Sequence, residues 1–161
     1  MVTEVTGWSV YMQAMAKTKA FIELLKVRLS ALVAFSCAFG YALAVRGDIH
    51  WQTLFMVYIG GFLMSGSAVT VNQIIERDLD KIMTRTMNRP LPTGRVNVQE
   101  ATLFALICLL ASSIILWIYA NPLTVILSVV SLILYSFVYT PLKRVGPIAV
   151  FVGAIPGALP P

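Results

Sequence analysis

The architecture of this chain is decided by residues 53–80, which read TLFMVYIGGFLMSGSAVTVNQIIERDLD. Nearly all of the first twenty positions are apolar or small, and a helix that crosses a membrane needs roughly 20 mostly apolar residues. The sequence therefore predicts a spanning helix over about Thr53 to Ile75. Its glycines and serines let neighbouring helices approach closely, which favours helix association in lipid, so we expect this helix at the centre of a bundle.

The composition of the whole chain is that of a membrane protein. Of its 161 residues, 58% are hydrophobic and only 12% are charged, and the mean hydropathy is +0.83. Soluble domains are about one quarter charged. The net charge of +5 raises the question of a nucleic-acid partner, but the basic residues follow the predicted membrane topology. This distribution argues against nucleic-acid binding.

Further apolar runs predict more spanning helices. They cover about Leu29 to Val45, Val98 to Tyr119 and Leu123 to Tyr139, and another begins near Pro147. The last run has no polar flank, so we expect about five spans with the fifth truncated. An alternative for the earliest span is a signal peptide, because residues 42–44 resemble a cleavage site. The predicted fold is an all-α polytopic transmembrane helix bundle.

The N-terminal segment is predicted to form an amphipathic helix over residues 8–26. Its apolar residues recur at helical spacing and comprise Trp8, Tyr11, Met12, Met15, Ile22 and Leu25. This pattern is typical of a helix that lies in the membrane interface. The chain therefore divides into a cytoplasmic amphipathic segment, residues 1–28, and a transmembrane domain, residues 29–161.

The basic residues predict the orientation of the bundle. Of the 12 lysines and arginines, only Arg46 lies on the side of the membrane opposite to all the others. Positive charge concentrates in cytoplasmic loops. The N-terminus and the loop from Arg77 to Gln99 are therefore predicted to face the cytoplasm, with the protein in the inner (plasma) membrane.

Polar residues at the end of the central span form an acidic ladder. Asn72, Glu76 and Asp80 are four residues apart, which places them on one helix face, whereas Asp78 points to the other side. Mg²⁺ binds through oxygen ligands, with one or two carboxylates and the phosphates of a substrate. The ladder therefore predicts a Mg²⁺ site. The alternative is a solvated helix end, where neighbouring basic residues pair with the two aspartates.

Arginines follow the ladder directly. Arg85 and Arg89 are also four residues apart and share a face if the helix continues. The planar guanidinium group suits phosphate, so this combination predicts a site for a metal-bound diphosphate. The alternative is an ordinary cytoplasmic loop, which carries basic residues in any case.

These motifs resemble those of a known family. Asn-x-x-x-acid-x-x-x-Asp over residues 72–80, followed by Arg-Thr-x-x-Arg-Pro-Leu-Pro-x-Gly over residues 85–94, is similar to the UbiA superfamily of intramembrane prenyltransferases. Within it, the chain resembles the protohaem IX farnesyltransferase subfamily through three further stretches, residues 21–29, 139–144 and 153–161. Glu76 stands where the superfamily often has aspartate, and Val27 where the subfamily commonly has proline.

The resemblance implies that a farnesyl group passes from farnesyl diphosphate to a vinyl group of haem b, which gives haem O. It implies Mg²⁺ on the ladder, and an electron-rich wall for the allylic cation at Tyr139 together with Tyr135. Ordinary helix packing is the alternative for both tyrosines. The basic residues that would bind the diphosphate are Lys26, Arg28, Arg85, Arg89, Lys143 and Arg144.

Two other functions fit parts of the pattern. A prenyltransferase with a hydroxybenzoate or naphthoate acceptor would have the same diphosphate site, although residues 157–161 favour haem. The second function is that of half a transporter with a broken helix. The binding site of a transporter would lie near the bilayer midplane, whereas the charged residues here lie at the cytoplasmic edge. The resemblance also implies a second acidic motif in another half of the fold, so we expect residues 1–161 alone to be inactive.

Overall fold

A computed structural model describes residues 7–142 and 153–154 of the chain. All the regular elements over residues 7–142 are helical, which confirms the predicted all-α fold. They are α1 (Gly7–Leu24), α2 (Val27–Ala44), α3 (Trp51–Ile75), α4 (Arg77–Asp80), α5 (Val98–Tyr119), α6 (Pro122–Ile133), a π-helical segment (Leu134–Tyr139) and α7 (Thr140–Leu142).

Helices long and apolar enough to cross a membrane match the predicted spans. In the described residues they are Val27–Ala44, Trp51–Ile75, Val98–Tyr119 and Pro122–Leu142. The last of them joins α6, the π-helical segment and α7 into one rod. The predicted fifth span, near Pro147, lies almost wholly outside the described residues. The protein is therefore a multi-pass membrane protein.

Lys26 separates α1 from α2 and sets the start of the first span. Its φ of 43° and ψ of 60° are left-handed, and no other non-glycine residue in the described chain has a positive φ. A left-handed residue interrupts a helix, so α1 ends before Lys26 and α2 starts at Val27, two residues earlier than predicted. Position 27 is the first residue of the new helix, where proline is favoured.

Helix α3 lies at the centre of the bundle, as predicted from its small residues. A methyl group added at Gly61 would lie 2.9 Å from Cys37 Sγ of α2, and one added at Gly60 would lie 2.7 Å from Leu116 Cδ2 of α5. The absence of side chains therefore lets both neighbours approach the α3 backbone.

Serine hydroxyls fasten α3 to α5. Ser67 Oγ on α3 donates to the Ala105 carbonyl oxygen at 2.8 Å, and Ser112 Oγ on α5 donates to the Gly60 carbonyl oxygen at 2.7 Å. Both serines are buried. The two hydrogen bonds run in opposite directions between the helices, so they fix the register of the pair.

Helix α1 packs on the loop that follows α4 through residues other than the predicted apolar stripe. Ala20 and Leu24 are fully buried in a cluster with Leu91, Val96 and Ala101. Four residues of the predicted stripe are exposed on α1, namely Tyr11, Met12, Met15 and Ile22. Leu25, also predicted for the stripe, follows the end of α1. The helix thus has one apolar side against protein and another that remains the predicted membrane contact.

Candidate active site

The ladder side chains are buried where α3 meets α4. Asn72, Glu76 and Asp80 expose 4%, 7% and 3% of their surface, whereas the side chain of Asp78 is 76% exposed. Glu76 interrupts the helix with φ −91° and ψ 1°. Its N–H still donates to the Asn72 carbonyl at 3.0 Å, and the Asp80 N–H donates to the Glu76 carbonyl at 2.8 Å. These bonds preserve the four-residue spacing across the interruption, so all three side chains face the interior.

Asn72 connects α3 to the last described span. Its Oδ1 accepts a hydrogen bond from Thr140 Oγ1 at 2.6 Å, and its Nδ2 donates to Glu76 Oε2 at 3.1 Å. Thr140 is fully buried. Sequence reasoning missed Thr140. The signal that would have found it is a hydroxyl on an apolar span, directly before Pro141, at the depth of the ladder.

The carboxylate of Asp80 is neutralised by Arg89. Arg89 Nη1 lies 2.6 Å from Asp80 Oδ2, with side-chain exposures of 20% and 4% respectively. Thr86 Oγ1 also donates to the Asp80 carbonyl oxygen, at 3.3 Å. Burying a charge is costly unless it is paired, and here the loop folds back to supply the partner.

The condition under which Arg85 and Arg89 would share a helix face, a helix that continues past Asp80, is not met. Helix α4 ends at Asp80, and turns follow it up to α5. Arg89 reaches back into the bundle from these turns, while Arg85 is exposed. A continuous helix would carry Arg89 away from the buried carboxylate that it neutralises.

Asp78 shows what a solvated helix end looks like. Its Oδ1 accepts hydrogen bonds from Arg77 Nε and Lys81 Nζ, both at 3.2 Å. The hydrogen bond from Arg77 and then that from Lys81 hold the pKa of this exposed carboxyl below its ordinary value. The alternative reading of the acidic stretch thus holds for Asp78 and is wrong for Asp80, which pairs with the half-buried Arg89 instead.

Two tyrosines stack on each other in the π-helical segment, which ends directly before Thr140. The rings of Tyr135 and Tyr139 stack with centroids 5.6 Å apart and an interplanar angle of 23°. Tyr135 interacts electrostatically with Glu76 and Arg89. A methyl group added at Gly153 would lie 2.7 Å from Tyr139 Cε2, so the backbone at Gly153 packs directly on that ring.

The remaining predicted phosphate-binding residues are Lys26, Arg28, Lys143 and Arg144. Lys26 is half-buried, and Gln73 Nε2 of α3 donates to the Leu24 carbonyl oxygen at 2.7 Å, which fastens the ladder helix two residues before Lys26. Arg28 is exposed, and none of the described contacts brings it to the ladder. Two predicted residues, Lys143 and Arg144, lie outside the described residues.

The donor set of the ladder suits a hard cation shared with a phosphate. Among residues 7–142 and 153–154, no three His, Cys, Asp or Glu side chains form a group that could hold a metal ion. The ladder offers two carboxylates and one amide, all with oxygen donors. Mg²⁺ takes one or two carboxylates in such sites and completes its coordination with substrate phosphates and water. The residues therefore fit Mg²⁺ that arrives with a diphosphate.

Comparison with known families decides the class. The model of the UbiA prenyltransferase family matches residues 33–161, most of the chain. The chain belongs to the UbiA prenyltransferase family. The matched range contains the ladder, Arg89 and the stacked tyrosines, and begins after α1 and Lys26.

Three curated relatives of this UbiA-family chain are named protoheme IX farnesyltransferase. The protein from Cytophaga hutchinsonii is 51% identical over 143 residues, which are 89% of this chain and 50% of the relative. That from Christiangramia forsetii is 44% identical over 140 residues, 87% and 46% of the two chains. That from Colwellia psychrerythraea is 39% identical over 147 residues, 91% and 48%. The chain thus spans about half the length of the curated relatives it matches.

A solved structure shares the fold of this UbiA-family chain. It is described as digeranylgeranylglyceryl phosphate synthase in membranes, and it superimposes with a TM-score of 0.70 over 89% of this chain and 53% of that chain. The sequence identity is 21%, so the likeness concerns the arrangement of the helices alone. It agrees with a polytopic bundle of the UbiA type.

Proposed function

We propose that this chain supplies the diphosphate-binding part of a protohaem IX farnesyltransferase, a membrane enzyme that makes haem O. The observation that carries the proposal is the buried ladder of Asn72, Glu76 and Asp80 with Arg89 paired to its end. Burying two carboxylates is costly even when each has a partner, so a ladder of this kind favours a functional role. The names of the curated relatives support farnesyl diphosphate and haem b as the substrates.

The reaction joins a carbon chain to a vinyl group. The C1–O bond of farnesyl diphosphate breaks, and the diphosphate leaves with the electron pair. C1 then bonds to the terminal vinyl carbon of haem b, and the hydroxyl of a water molecule adds to the inner vinyl carbon while its proton is released. The product carries a hydroxyethylfarnesyl side chain. The chain must therefore stabilise a growing negative charge and exclude water from an allylic cation.

The ladder and Arg89 meet the first of these needs. A Mg²⁺ ion, when bound, neutralises charge on the leaving diphosphate, and the oxygen atoms of Asn72, Glu76 and Asp80 would hold it. Arg89 is oriented by its 2.6 Å contact with Asp80, and a guanidinium group has five N–H donors. The donors that Asp80 does not use are available to the diphosphate, where such preorganised groups are most effective.

The stacked tyrosines meet the second need. A cation held over an aromatic face gains about 2 kcal/mol or more when water is excluded. Tyr139 and Tyr135 are stacked rings on the turns that precede Thr140, whose hydroxyl contacts Asn72 of the ladder. We assign Tyr139 the role of stabilising the allylic cation. Lys26, Arg28, Arg85, Lys143 and Arg144 remain proposed as further diphosphate contacts.

The proposed setting is the inner membrane, with α1 and the loop after α4 on the cytoplasmic side. Apart from Arg46, all the lysines and arginines flank the spans on that side, and the positive-inside rule assigns it to the cytoplasm. Farnesyl diphosphate would then place its charged head at the cytoplasmic edge and its tail among the spans.

The test is haem analysis in a bacterial strain that makes no haem O of its own. The protein is expressed from its complete reading frame, and extracted haems are separated and weighed by mass spectrometry. We expect haem O, its loss on chelation of Mg²⁺ in isolated membranes, and its loss in Asp80→Asn. Asp78→Asn is the matched control, because that side chain faces solvent, and it should retain activity.

Two results would overturn the proposal. An Asp80→Asn variant that is present at equal level and makes haem O at the normal rate would remove the metal role of the ladder. Prenylation of a hydroxybenzoate or naphthoate by the same membranes, with none of haem b, would identify a different acceptor.

We also propose that residues 1–161 by themselves are inactive. The ladder approaches a diphosphate from one side, whereas clamps that stabilise both sides are the effective arrangement. The relatives are about twice as long as the part that this chain matches. Membranes with residues 1–161 alone should form no haem O, and should form it when the C-terminal half of the Cytophaga hutchinsonii relative is produced with them. Full activity of residues 1–161 alone would contradict this proposal.

A further inference from the structure

The amide of Asn72 faces Glu76 with the end that cannot bind a cation. Its Nδ2 lies 3.1 Å from Glu76 Oε2 as a donor, while its Oδ1 is turned to Thr140 Oγ1 at 2.6 Å. A cation shared by Asn72 and Glu76 needs oxygen from both. The amide must therefore rotate by about half a turn, so that Oδ1 points to Glu76 and Nδ2 to Thr140.

The hydroxyl of Thr140 is suited to either orientation of that amide. It lies within hydrogen-bond distance of two acceptors, Asn72 Oδ1 at 2.6 Å and the Tyr135 carbonyl oxygen at 2.9 Å. A threonine hydroxyl has one proton to donate and two lone pairs that accept. With the amide as it stands, Thr140 donates to Asn72. After rotation, Thr140 accepts from Asn72 Nδ2 and donates its proton to Tyr135.

The π-helical segment supplies the second acceptor. The Thr140 N–H donates to the carbonyl oxygen of Tyr135, five residues earlier, and this wider turn brings the same oxygen next to the Thr140 hydroxyl. Thr140 and Asn72 expose 0% and 4% of their surface, so bulk water does not replace a lost partner. A side chain without a hydroxyl at position 140 would leave the rotated amide with an unpaired N–H, which is unfavourable in a buried site.

We propose that Thr140 is a positioning residue that lets Asn72 turn its oxygen toward the cation and the diphosphate. The inference rests on the proposed function, since it assigns to the ladder the Mg²⁺ and diphosphate described there. Partners that orient a metal ligand typically change metal affinity by about 10- to 100-fold when they are removed. Thr140 acts through Asn72 and does not touch the substrate.

The test measures cation affinity rather than turnover. The complete protein in detergent is titrated with Mn²⁺ in the presence of inorganic diphosphate, and bound Mn²⁺ is measured by electron paramagnetic resonance. Thr140→Val keeps the shape of the side chain and removes the hydroxyl, and it should weaken Mn²⁺ binding about tenfold or more. Thr140→Ser restores the hydroxyl and should bind within about twofold of the unaltered protein.

The matched control is Thr70→Val. Thr70 is also fully buried, and its hydroxyl donates at 2.8 Å to the Gly66 carbonyl oxygen within α3, away from the amide. It should leave Mn²⁺ affinity unchanged, which separates the loss of any buried hydroxyl from the loss of this one. In turnover assays, Thr140→Val should raise the Mg²⁺ concentration for half-maximal rate and recover much of its rate at saturating Mg²⁺.

The possible results separate this inference from the proposed function. Unaltered affinity in Thr140→Val, with normal binding by the parent, would overturn the inference and leave the ladder as the metal site. An equal loss in Thr140→Ser would overturn it too, because shape rather than the hydroxyl would then be decisive. Failure of the parent protein to bind Mn²⁺ with diphosphate would overturn the metal site and this inference together.

Discussion

Removal of Arg89 should leave a buried carboxylate without its partner. The Asp80 side chain is 4% exposed and lies 2.6 Å from Arg89 Nη1, whose side chain is 20% exposed. Breaking a buried ion pair by removing one member typically costs about 3–5 kcal/mol. Arg89→Met retains most of the apolar stem, so nearly all of the loss comes from the charge. Because Arg89 keeps some contact with solvent, we expect a value near 3 kcal/mol.

The measurement is a double-mutant cycle on the free energy of unfolding. The complete protein is unfolded reversibly in mixed micelles by increasing the fraction of denaturing detergent. Asp80→Asn combined with Arg89→Met removes both charges and should recover most of the stability, so the two substitutions should couple by about 2 kcal/mol. Arg77→Met is the control, because its partner Asp78 is exposed and its loss should lie within experimental error.

Two outcomes would refute this reasoning. A loss below about 1 kcal/mol in Arg89→Met is typical of a surface pair and would mean that water or another cation reaches Asp80. Additive effects in the double variant would mean that the two side chains do not depend on each other for burial.

Three further predictions concern Tyr139, the loop and α5. Gly153→Ala places a methyl group 2.7 Å from Tyr139 Cε2 and should displace the ring, lowering the haem O rate by up to about 100-fold at equal protein level; an unchanged rate would show that the ring position is irrelevant. Thr93→Cys should react with an impermeant maleimide added from the cytoplasmic side. Reaction from the periplasmic side alone would show that the topology is opposite to the predicted one. Asn97→Ala removes the side chain that accepts the Glu100 backbone N–H in the capping box and should cost about 1 kcal/mol of unfolding free energy, in contrast to Gln99→Ala on the exposed face.

The spans and the ladder were predictable because each follows from local sequence. Apolar length fixes a membrane helix, and the four-residue spacing separates Asn72, Glu76 and Asp80 from Asp78 without knowledge of any neighbour. The capping box at Asn97 is likewise a local pattern, and the structure contains it. The ladder and the cap needed only residues within about one or two helical turns of each other, and each span needed only the composition of its own apolar run.

The partners of the ladder were not predictable in the same way. The bond from Thr140 to Asn72 joins residues 68 positions apart, and no periodicity in either helix contains that information. Arg89 was selected for its charge as a phosphate contact, but its ion pair with Asp80 depends on how the loop folds back, which the sequence pattern does not contain. The sequence of the π-helical segment, Leu134 to Tyr139, carries no local pattern that distinguishes it from an ordinary α-helix.

The glycines of α3 have a consequence for the assembly of the bundle in the membrane. Gly61 and Gly66 receive Cys37 and Leu25, which precede α3 in the chain, whereas Gly60 receives Leu116, which follows it. Translation adds about 5–20 residues per second, so α3 is inserted seconds before α5. Helix α3 can therefore dock on α2 while α5 is still being synthesised. The side of α3 that carries Gly60 is then already in place when α5 packs on it. Bulky substitutions at Gly61 should prevent formation of the α2–α3 pair during insertion. Bulky substitutions at Gly60 should let that pair form and accumulate, because only the later docking of α5 is blocked.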